Sequence, residues 1–208
     1  MTYQEQVWAG EFGREWTNRN SPTLDSYSRN YGVSRVKMNE EFLSGQPVDG
    51  VLEVGCNQGS QLVFLQKYLK LKHLYGIDIM PYAVNLAKLL TANINIIGAS
   101  ALDIPFKDGY FDLVFTSGTL IHFHEDDLPR AMAEIYRCSR RFIWGFEYYS
   151  EKRQEINNYR GQANFIWKED FCRRYMELFP DLRLVREKKY TYQDGSGNVD
   201  QMFLLEKG

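Results

Sequence analysis

Between residues 51 and 146 the chain alternates short apolar runs with longer amphipathic stretches, the pattern of strands and helices taking turns. Residues 51–54 read as a first strand, apolar except for Glu53, as in a parallel strand buried on both faces. Leu62, Leu65 and Leu69 then share one face of a helix predicted over 59–70. Residues 74–77 read as a second strand. Pro81 sits where a first-turn proline belongs, and Ala83, Val84, Ala87 and Leu90 make the next helical stripe. Residues 94–97 and 111–115 read as strands three and four. An acid at Asp126 or Asp127 opens a helix whose inner face is Leu128, Ala131, Met132 and Ile135. Residues 142–146 read as strand five.

The flanks pattern differently. Residues 1–48 read as helical and polar-aromatic, with a break at Asn20, Ser21 and Pro22. Residues 168–178 read as a helix. Two closing strands, near 182–185 and 202–205, bracket a turn from Asp194 to Asn198 that suits a hairpin. The whole predicts an α/β protein with a mostly parallel seven-stranded sheet, one antiparallel strand and helices on both faces. At 208 residues we expect a single domain over 1–208. Its parts would be an N-terminal helical arm or lid (1–48), a cofactor-binding core (49–146), a substrate loop (147–167), and a C-terminal helix and hairpin (168–208).

Charge and cysteine content narrow the class. The formal net charge is −2 and no basic stripe is present, which argues against a general nucleic-acid binder. The N-terminus lacks both a basic start and an apolar run, and no segment is apolar enough to span a bilayer. Cys56, Cys138 and Cys172 are scattered and odd in number, with neither disulfide nor zinc spacing. The expectation is a cytoplasmic protein without metal or membrane partner.

The chemistry begins where strand one runs into Gly55-Cys56-Asn57-Gln58-Gly59. A second strand ends in Asp78, 19 residues beyond Gly59. Bare backbone at the turn and a carboxylate at the tip of strand two suit a nucleoside cofactor, the acid holding ribose hydroxyls. Two cofactors compete. A nicotinamide dinucleotide wants G-x-G-x-x-G, and Asn57 stands where its middle glycine would. Glu53 is out of place beside a pyrophosphate but suits the ammonium of S-adenosylmethionine. An ordinary tight turn at Gly55 and Gly59, and a solvated strand end at Asp78, are the plainer alternatives. Cys56 reads as a small packed residue.

Further motifs follow in order: Gly98-Ala-Ser-Ala-Leu-Asp-Ile-Pro-Phe106 after strand three, and Phe111-Asp-Leu-Val-Phe-Thr-Ser-Gly-Thr-Leu-Ile-His122 through strand four. With Glu53–Gly59 and Asp78 they resemble the ordered motifs of class I S-adenosylmethionine-dependent methyltransferases over roughly residues 50–146. The resemblance implies that Glu53, Gly55, Cys56, Asn57 and Gly59 surround the methionine end of the cofactor. It implies that Asp78 holds the ribose and Ile79 packs on the adenine. Ser100 falls where the family often carries an acid facing the adenine amino group, with Ala101 offering backbone. Thr116 and Ser117 would lie under the sulfonium. Asn57 for glycine and Ser100 for an acid depart from the family pattern.

The ends of the chain resemble the methylases associated with pseudaminic acid biosynthesis. The matching pieces are Trp8-Ala-Gly-Glu-Phe-Gly13 with Arg19-Asn20, Leu120-Ile-His122, Glu147-Tyr-Tyr149, Tyr159-Arg-Gly161, Pro180-Asp-Leu182 and Phe203-Leu-Leu-Glu-Lys207. That resemblance implies a small anionic acceptor, such as an acidic or nucleotide-linked sugar, methylated on oxygen rather than nitrogen. The stretch from Ser150 to Glu155 departs from that family's proline-containing pattern.

On the acceptor side His122 is the expected general base, since it follows strand four and histidine titrates in the useful range. A structural histidine is the plainer alternative. Tyr27, Tyr31, Tyr148, Tyr149 and Tyr159 offer faces for a sugar ring, and Arg160 a fork for a carboxylate or phosphate. A surface loop pinned by aromatics, and an arm that simply packs on the sheet, are the bland counterparts. A non-catalytic S-adenosylmethionine-binding partner and an NAD-dependent oxidoreductase remain the rival functions, and the oligomeric state is open.

Overall fold

The computed structural model describes residues 1–20, 24–157, 159–161 and 163–208; for Leu24 and Asp25 it describes the backbone alone. Two residues of the expected break, Ser21 and Pro22, lie outside the described residues. Four helices come first: α1 (Tyr3–Ala9), α2 (Glu11–Arg19), α3 (Leu24–Tyr31) and α4 (Arg35–Leu43). Thr2 and Glu5 close a reciprocal capping box on α1, satisfying two of its free backbone donors.

The alternating region follows as β1 (Gly50–Val54), α5 (Ser60–Phe64), β2 (His73–Asp78), α6 (Pro81–Leu90), β3 (Asn95–Gly98), β4 (Phe111–Ser117), α7 (Leu128–Cys138) and β5 (Ser139–Tyr148). The helix expected over 59–70 widens to a π-helical turn at Leu65–Leu69 and stops where Lys70 turns left-handed. Two short strands, β6 (Gln154–Glu155) and β7 (Trp167–Lys168), pair with each other. The helix expected over 168–178 therefore starts later, as α8 (Phe171–Leu178), capped by Asp170. The closing strands are β8 (Leu182–Thr191) and β9 (Val199–Lys207), longer than the sequence pattern suggested.

The main sheet has seven strands in the order β3-β2-β1-β4-β5-β9-β8. β9 runs against its neighbours β5 and β8, and the other pairings are parallel. Apolar residues alternate between two buried faces. Leu52, Val114, Ile143 and Phe203 meet α7 and α8 on one side; Val51, Leu113, Phe142, Trp144 and Leu204 meet α4, α5 and α6 on the other. Period-two alternation with both sets buried explains why the strands read as unbroken apolar runs. Gly145 pairs with Phe203, whose ring lies where a side chain at 145 would be: a Cβ there would come within 2.2 Å of it. No helix among the described residues is long and apolar enough to cross a membrane.

Candidate active site

From β1 the sheet grows one way through β2 and β3, and from β4 the other way through β5. Connections that diverge like this leave a crevice outside the carboxyl ends of the strands. There the structure has a cavity of about 500 Å³, within the usual range for small-molecule sites. β9 is antiparallel, so its first residues reach this same end of the sheet.

The turn after β1 forms the floor. Gly55 has a φ of 75°, and its N–H and that of Cys56 both donate to the Ile77 carbonyl at 2.9 Å. A Cβ at Gly55 would lie 2.4 Å from Thr119 Oγ1, so close packing as well as backbone conformation demands glycine. Asn57 is also left-handed, with a φ of 45°, which asparagine tolerates better than most residues. Its amide is turned away to donate to Thr17 Oγ1 at 2.8 Å, and Gln58 Nε2 donates to the Thr17 carbonyl at 2.8 Å. The side chains that depart from a glycine-rich turn thus clasp the end of α2.

Two carboxylates face this floor. Asp78 Oδ2 accepts from the Asn57 N–H at 2.8 Å and Oδ1 from the Met80 N–H at 2.9 Å. Burial pushes its pKa up, opposed by the backbone N–H groups of Met80, Asn57 and Ile79. That leaves at least one carboxylate lone pair for a ligand hydroxyl. Glu53 is 2% exposed, and its Oε2 has no hydrogen-bond partner among the described residues. Burial drives its pKa well up, countered by Arg35 and reinforced by Asp78. A buried, partnerless carboxylate oxygen lining a cavity fits the ammonium of S-adenosylmethionine. Cys56 also lines the cavity, with its thiol pKa well raised by burial. Ile79, Ala101 and Ser117 complete this half of the wall.

Other expected cofactor residues stand behind the wall. Gly59 is buried against α6 and its end: a Cβ there would meet Thr91 at 2.9 Å. Thr116 is buried and hydrogen-bonded to Glu147. Ser100 donates to Glu5 Oε1 and accepts from the Leu102 N–H at 2.9 Å. Glu5, carried in by α1, itself lines the cavity beside Ala99 and Ala101. A carboxylate thus stands next to Ser100, supplied from the arm rather than the loop after β3.

His122 lines the cavity from the 3₁₀ turn Leu120–His122. The Trp8 ring lies on it with centroids 4.4 Å apart, and Trp8 also stacks on Phe165 at 5.6 Å. Burial pushes the imidazole pKa down to about 4, against the raising effect of its bond to the Phe165 backbone. The ring is neutral near pH 7, and Nδ1 has no partner among the described residues.

Of the expected acceptor residues, Tyr27, Tyr31 and Tyr148 line the cavity. Tyr149, Tyr159 and Arg160 do not. Tyr149 lies under the Lys189 ammonium, 3.8 Å from its ring centroid. Tyr159 accepts from Trp16 Nε1 at 3.3 Å and so ties the arm to the 147–167 segment. Arg160 is exposed, in a left-handed conformation with a φ of 51°. Arg153, in the stretch that departs from the family pattern, is an anchor: it donates to Glu169 and to the Phe123 carbonyl, both at 2.7 Å.

The sequence reading missed three residues. Glu147, on β5 and fully buried, accepts from the Thr119 N–H at 3.1 Å and holds the turn that carries His122. Burial raises its pKa to about 7, opposed by the Thr116 hydroxyl and the backbone N–H groups of Thr119, Leu120 and Ile121. Asp200, at the start of β9, lines the cavity and accepts from Tyr31 and, at 3.1 Å, from Tyr192. Arg35, fully buried on α4, places its guanidinium 4.4 Å from the Phe146 ring centroid and near the Tyr27 and Trp144 rings. A glutamate directly after predicted strand five was the available signal for the first; the other two needed contacts between distant segments.

Comparison with known proteins agrees with this architecture. Residues 52–141 match a family model described as a methyltransferase domain. Over 106 residues the chain is 29% identical to O-methyltransferase rstn1 of Aspergillus nomiae, covering 48% of this chain and 46% of that protein. The chain spans less than half the length of the curated relatives it matches. Among solved structures, an S-adenosylmethionine-dependent methyltransferase from Aquifex aeolicus aligns with a TM-score of 0.62 at 20% identity, over 92% of this chain and 97% of that one. The [4+2]-cyclase SpnF shares the fold with a TM-score of 0.62 at 13% identity, over 84% and 81%. Residues 52–141 thus match a methyltransferase-domain model, and the chain shares its fold with an S-adenosylmethionine-dependent methyltransferase structure.

Proposed function

We propose that the protein is an S-adenosylmethionine-dependent methyltransferase that methylates an oxygen of a small metabolite. The observation that carries the reading is the partnerless Glu53 Oε2 sharing one cavity with the Asp78 carboxylate. The first suits an ammonium and the second a ribose diol, and the cavity joins them. A cyclase with the same fold shows that the fold does not fix the reaction, so the argument rests on these groups.

In this reading Glu53, Gly55, Cys56 and Asn57 surround the amino-acid end of the cofactor. Asp78 holds the ribose, Ile79 and Ala101 flank the adenine, and Ser117 lies near the reacting centre. Gly59, Ser100 and Thr116 support these groups from behind. When bound, S-adenosylmethionine supplies a methyl group on a good sulfur leaving group. The chain's task is then to orient an acceptor oxygen and exclude water. His122, neutral and with a free Nδ1, offers a hydrogen-bond acceptor on that side. Residues 1–48 act as the arm, 49–146 as the core, 147–167 as the acceptor segment and 168–208 as its support. A cytoplasmic location fits the three free cysteines.

Oxygen is preferred as the accepting atom by analogy with the O-methyltransferase relative. The finer expectation, an acidic or nucleotide-linked sugar as for the pseudaminic-acid-associated methylases, would draw on Arg19, which among the described residues lines the cavity and pairs with Glu15 at 3.3 Å, whereas Arg160 does not line it.

The test is calorimetric titration with S-adenosylhomocysteine and, separately, with NAD. Binding of the first alone supports the reading and justifies a screen of sugar acids and nucleotide sugars with radiolabelled S-adenosylmethionine. Binding of NAD, or of neither, overturns it. Cofactor binding without transfer to any of a broad set of small molecules would favour a non-catalytic partner.

A further inference from the structure

The far end of the cavity from the glycine turn is built on β9 and the end of β8. Asp200 is 2% exposed there. Its Oδ2 takes both phenolic hydrogens, from Tyr31 and Tyr192. Its Oδ1 is buried, lies in a residue lining the cavity, and has no partner among the described residues. A carboxylate serving only to fix two tyrosines would leave this oxygen desolvated at a cost and with no gain. The same end carries the faces of Tyr31, Tyr148 and Tyr192, with Phe146 beneath.

Position ties this group to the reacting end. In register Tyr148 pairs with Asp200, and Phe146, two residues earlier on β5, pairs with Ser117 of β4. The Tyr27 phenol responds to the charges of both Glu53 and Asp200, and Arg35 acts on both carboxylates. Asp200 therefore stands across from the amino-acid end of the cofactor site, not from its adenine end.

We propose that Asp200 with Tyr31, Tyr148 and Tyr192 forms the acceptor subsite, and that Asp200 Oδ1 takes a hydrogen bond from a hydroxyl on a ring-bearing, uncharged part of the acceptor. The inference rests on the methyltransferase reading and narrows it. The ring lies among the tyrosine faces, and a carboxylate group is repelled from this end. On transfer, the hydroxyl proton moves to Asp200 Oδ1 as the carbon–oxygen bond forms and the sulfur–methyl bond breaks, its electron pair remaining on sulfur.

The surroundings support a proton acceptor. Burial raises the Asp200 pKa to about 7, while Tyr31, Tyr192, Arg35 and Lys168 lower it. A carboxylate so poised matches a general base working near neutral pH better than His122, held at about 4. Tyr31 comes from α3, Arg35 from α4, Tyr148 from β5, Lys168 from β7 and Tyr192 from the residue after β8, so these elements each contribute a named group.

The test uses protein saturated with S-adenosylhomocysteine, with catechol as hydroxyl probe and benzoate as an anionic probe of the same ring size. Carbon-13 NMR follows the Asp200 carboxyl, assigned in the wild-type chain, so the reading does not depend on a variant folding. Catechol should shift that resonance and bind at least about tenfold more weakly to Asp200→Asn, the range for a hydrogen bond to a charged group. Benzoate should bind more weakly than catechol. An unmoved resonance, equal catechol affinity in a folded Asp200→Asn, or tighter benzoate binding overturns the subsite. Failure of S-adenosylhomocysteine to bind wild-type protein is a different result, and counts against the methyltransferase reading itself.

Discussion

Replacing Glu147 by Gln tests the buried architecture of the site without needing an acceptor. Glu147 is fully buried on β5, and its carboxyl pKa rises from an ordinary 4.5 to about 7. The sign follows from linkage: a carboxyl harder to ionise in the folded state stabilises relatively below pH 4.5 and loses that advantage as pH climbs through 7. The span corresponds to about 3 kcal/mol, and to roughly 6–12 °C in Tm for a chain of this size. The amide keeps an oxygen for the Thr119 N–H, which Glu147 accepts at 3.1 Å, and removes the charge. Asp200 titrates in the same direction, but the groups acting on it do not include Glu147, so its effect cancels between the two proteins. Urea unfolding at pH 5, 6.5 and 8 should show Glu147→Gln gaining on wild type with each step. A difference that stays flat, or that moves in favour of wild type at pH 8, would refute the account of a buried carboxylate held against its solvation.

Other outcomes follow from the same geometry. Asp78→Ala removes the partner of two backbone N–H groups and the proposed ribose ligand; S-adenosylhomocysteine affinity should fall about tenfold to a hundredfold, read by calorimetry, and unchanged affinity in a folded variant would sink the ribose role. Trp8→Ala strips the ring that lies on His122 and Phe165; hydrogen exchange should rise over α1, α2 and 147–167 while the β1–β4 core stays protected. The His122 ring, with its pKa held near 4, should stay neutral from pH 8 down to 5 by nitrogen-15 NMR, and a midpoint above 6 would contradict its packing. Glu53, its pKa raised by burial, should ionise as an ammonium arrives; proton release on binding S-adenosylhomocysteine, measured by calorimetry in buffers of differing ionisation enthalpy, should be absent in Glu53→Gln.

The succession of strands and helices in the core was legible because its apolar runs and glycine turn carry their own punctuation. The Gly55 to Gly59 turn and Asp78 stand out by local pattern, whereas Ser117 came only with the resemblance to methyltransferase motifs. What the pattern hid is set by contacts between distant segments. Asn57 stands at a glycine position, yet its amide reaches 40 residues back to Thr17, so the bulk that would crowd a phosphate is turned aside. Ser100 lacks the family's acid, and the carboxylate beside it comes from Glu5, 95 residues away. Arg160 looked like an anion fork by residue type, but the backbone carries it into solvent. Asp200 looked like one polar residue before a closing strand; only the antiparallel pairing with β5 brings it to Tyr148, and only the arm brings Tyr31 to it.

These placements share an electrostatic consequence. Glu53, Asp78 and Asp200 line one cavity, each with its pKa raised by burial. Arg35 moderates Glu53 and Asp200 from behind aromatic rings, but its guanidinium nitrogens make no hydrogen bond among the described residues. A buried cation without a carboxylate in contact acts through space and leaves the oxygens open to ligands. Such a cavity discriminates by charge before it discriminates by shape. A ligand bearing an ammonium and a sulfonium gains from every carboxylate around it. A dinucleotide would bring two phosphates into the same field. The proposed preference for S-adenosylmethionine thus rests on the carboxylates that face the cavity.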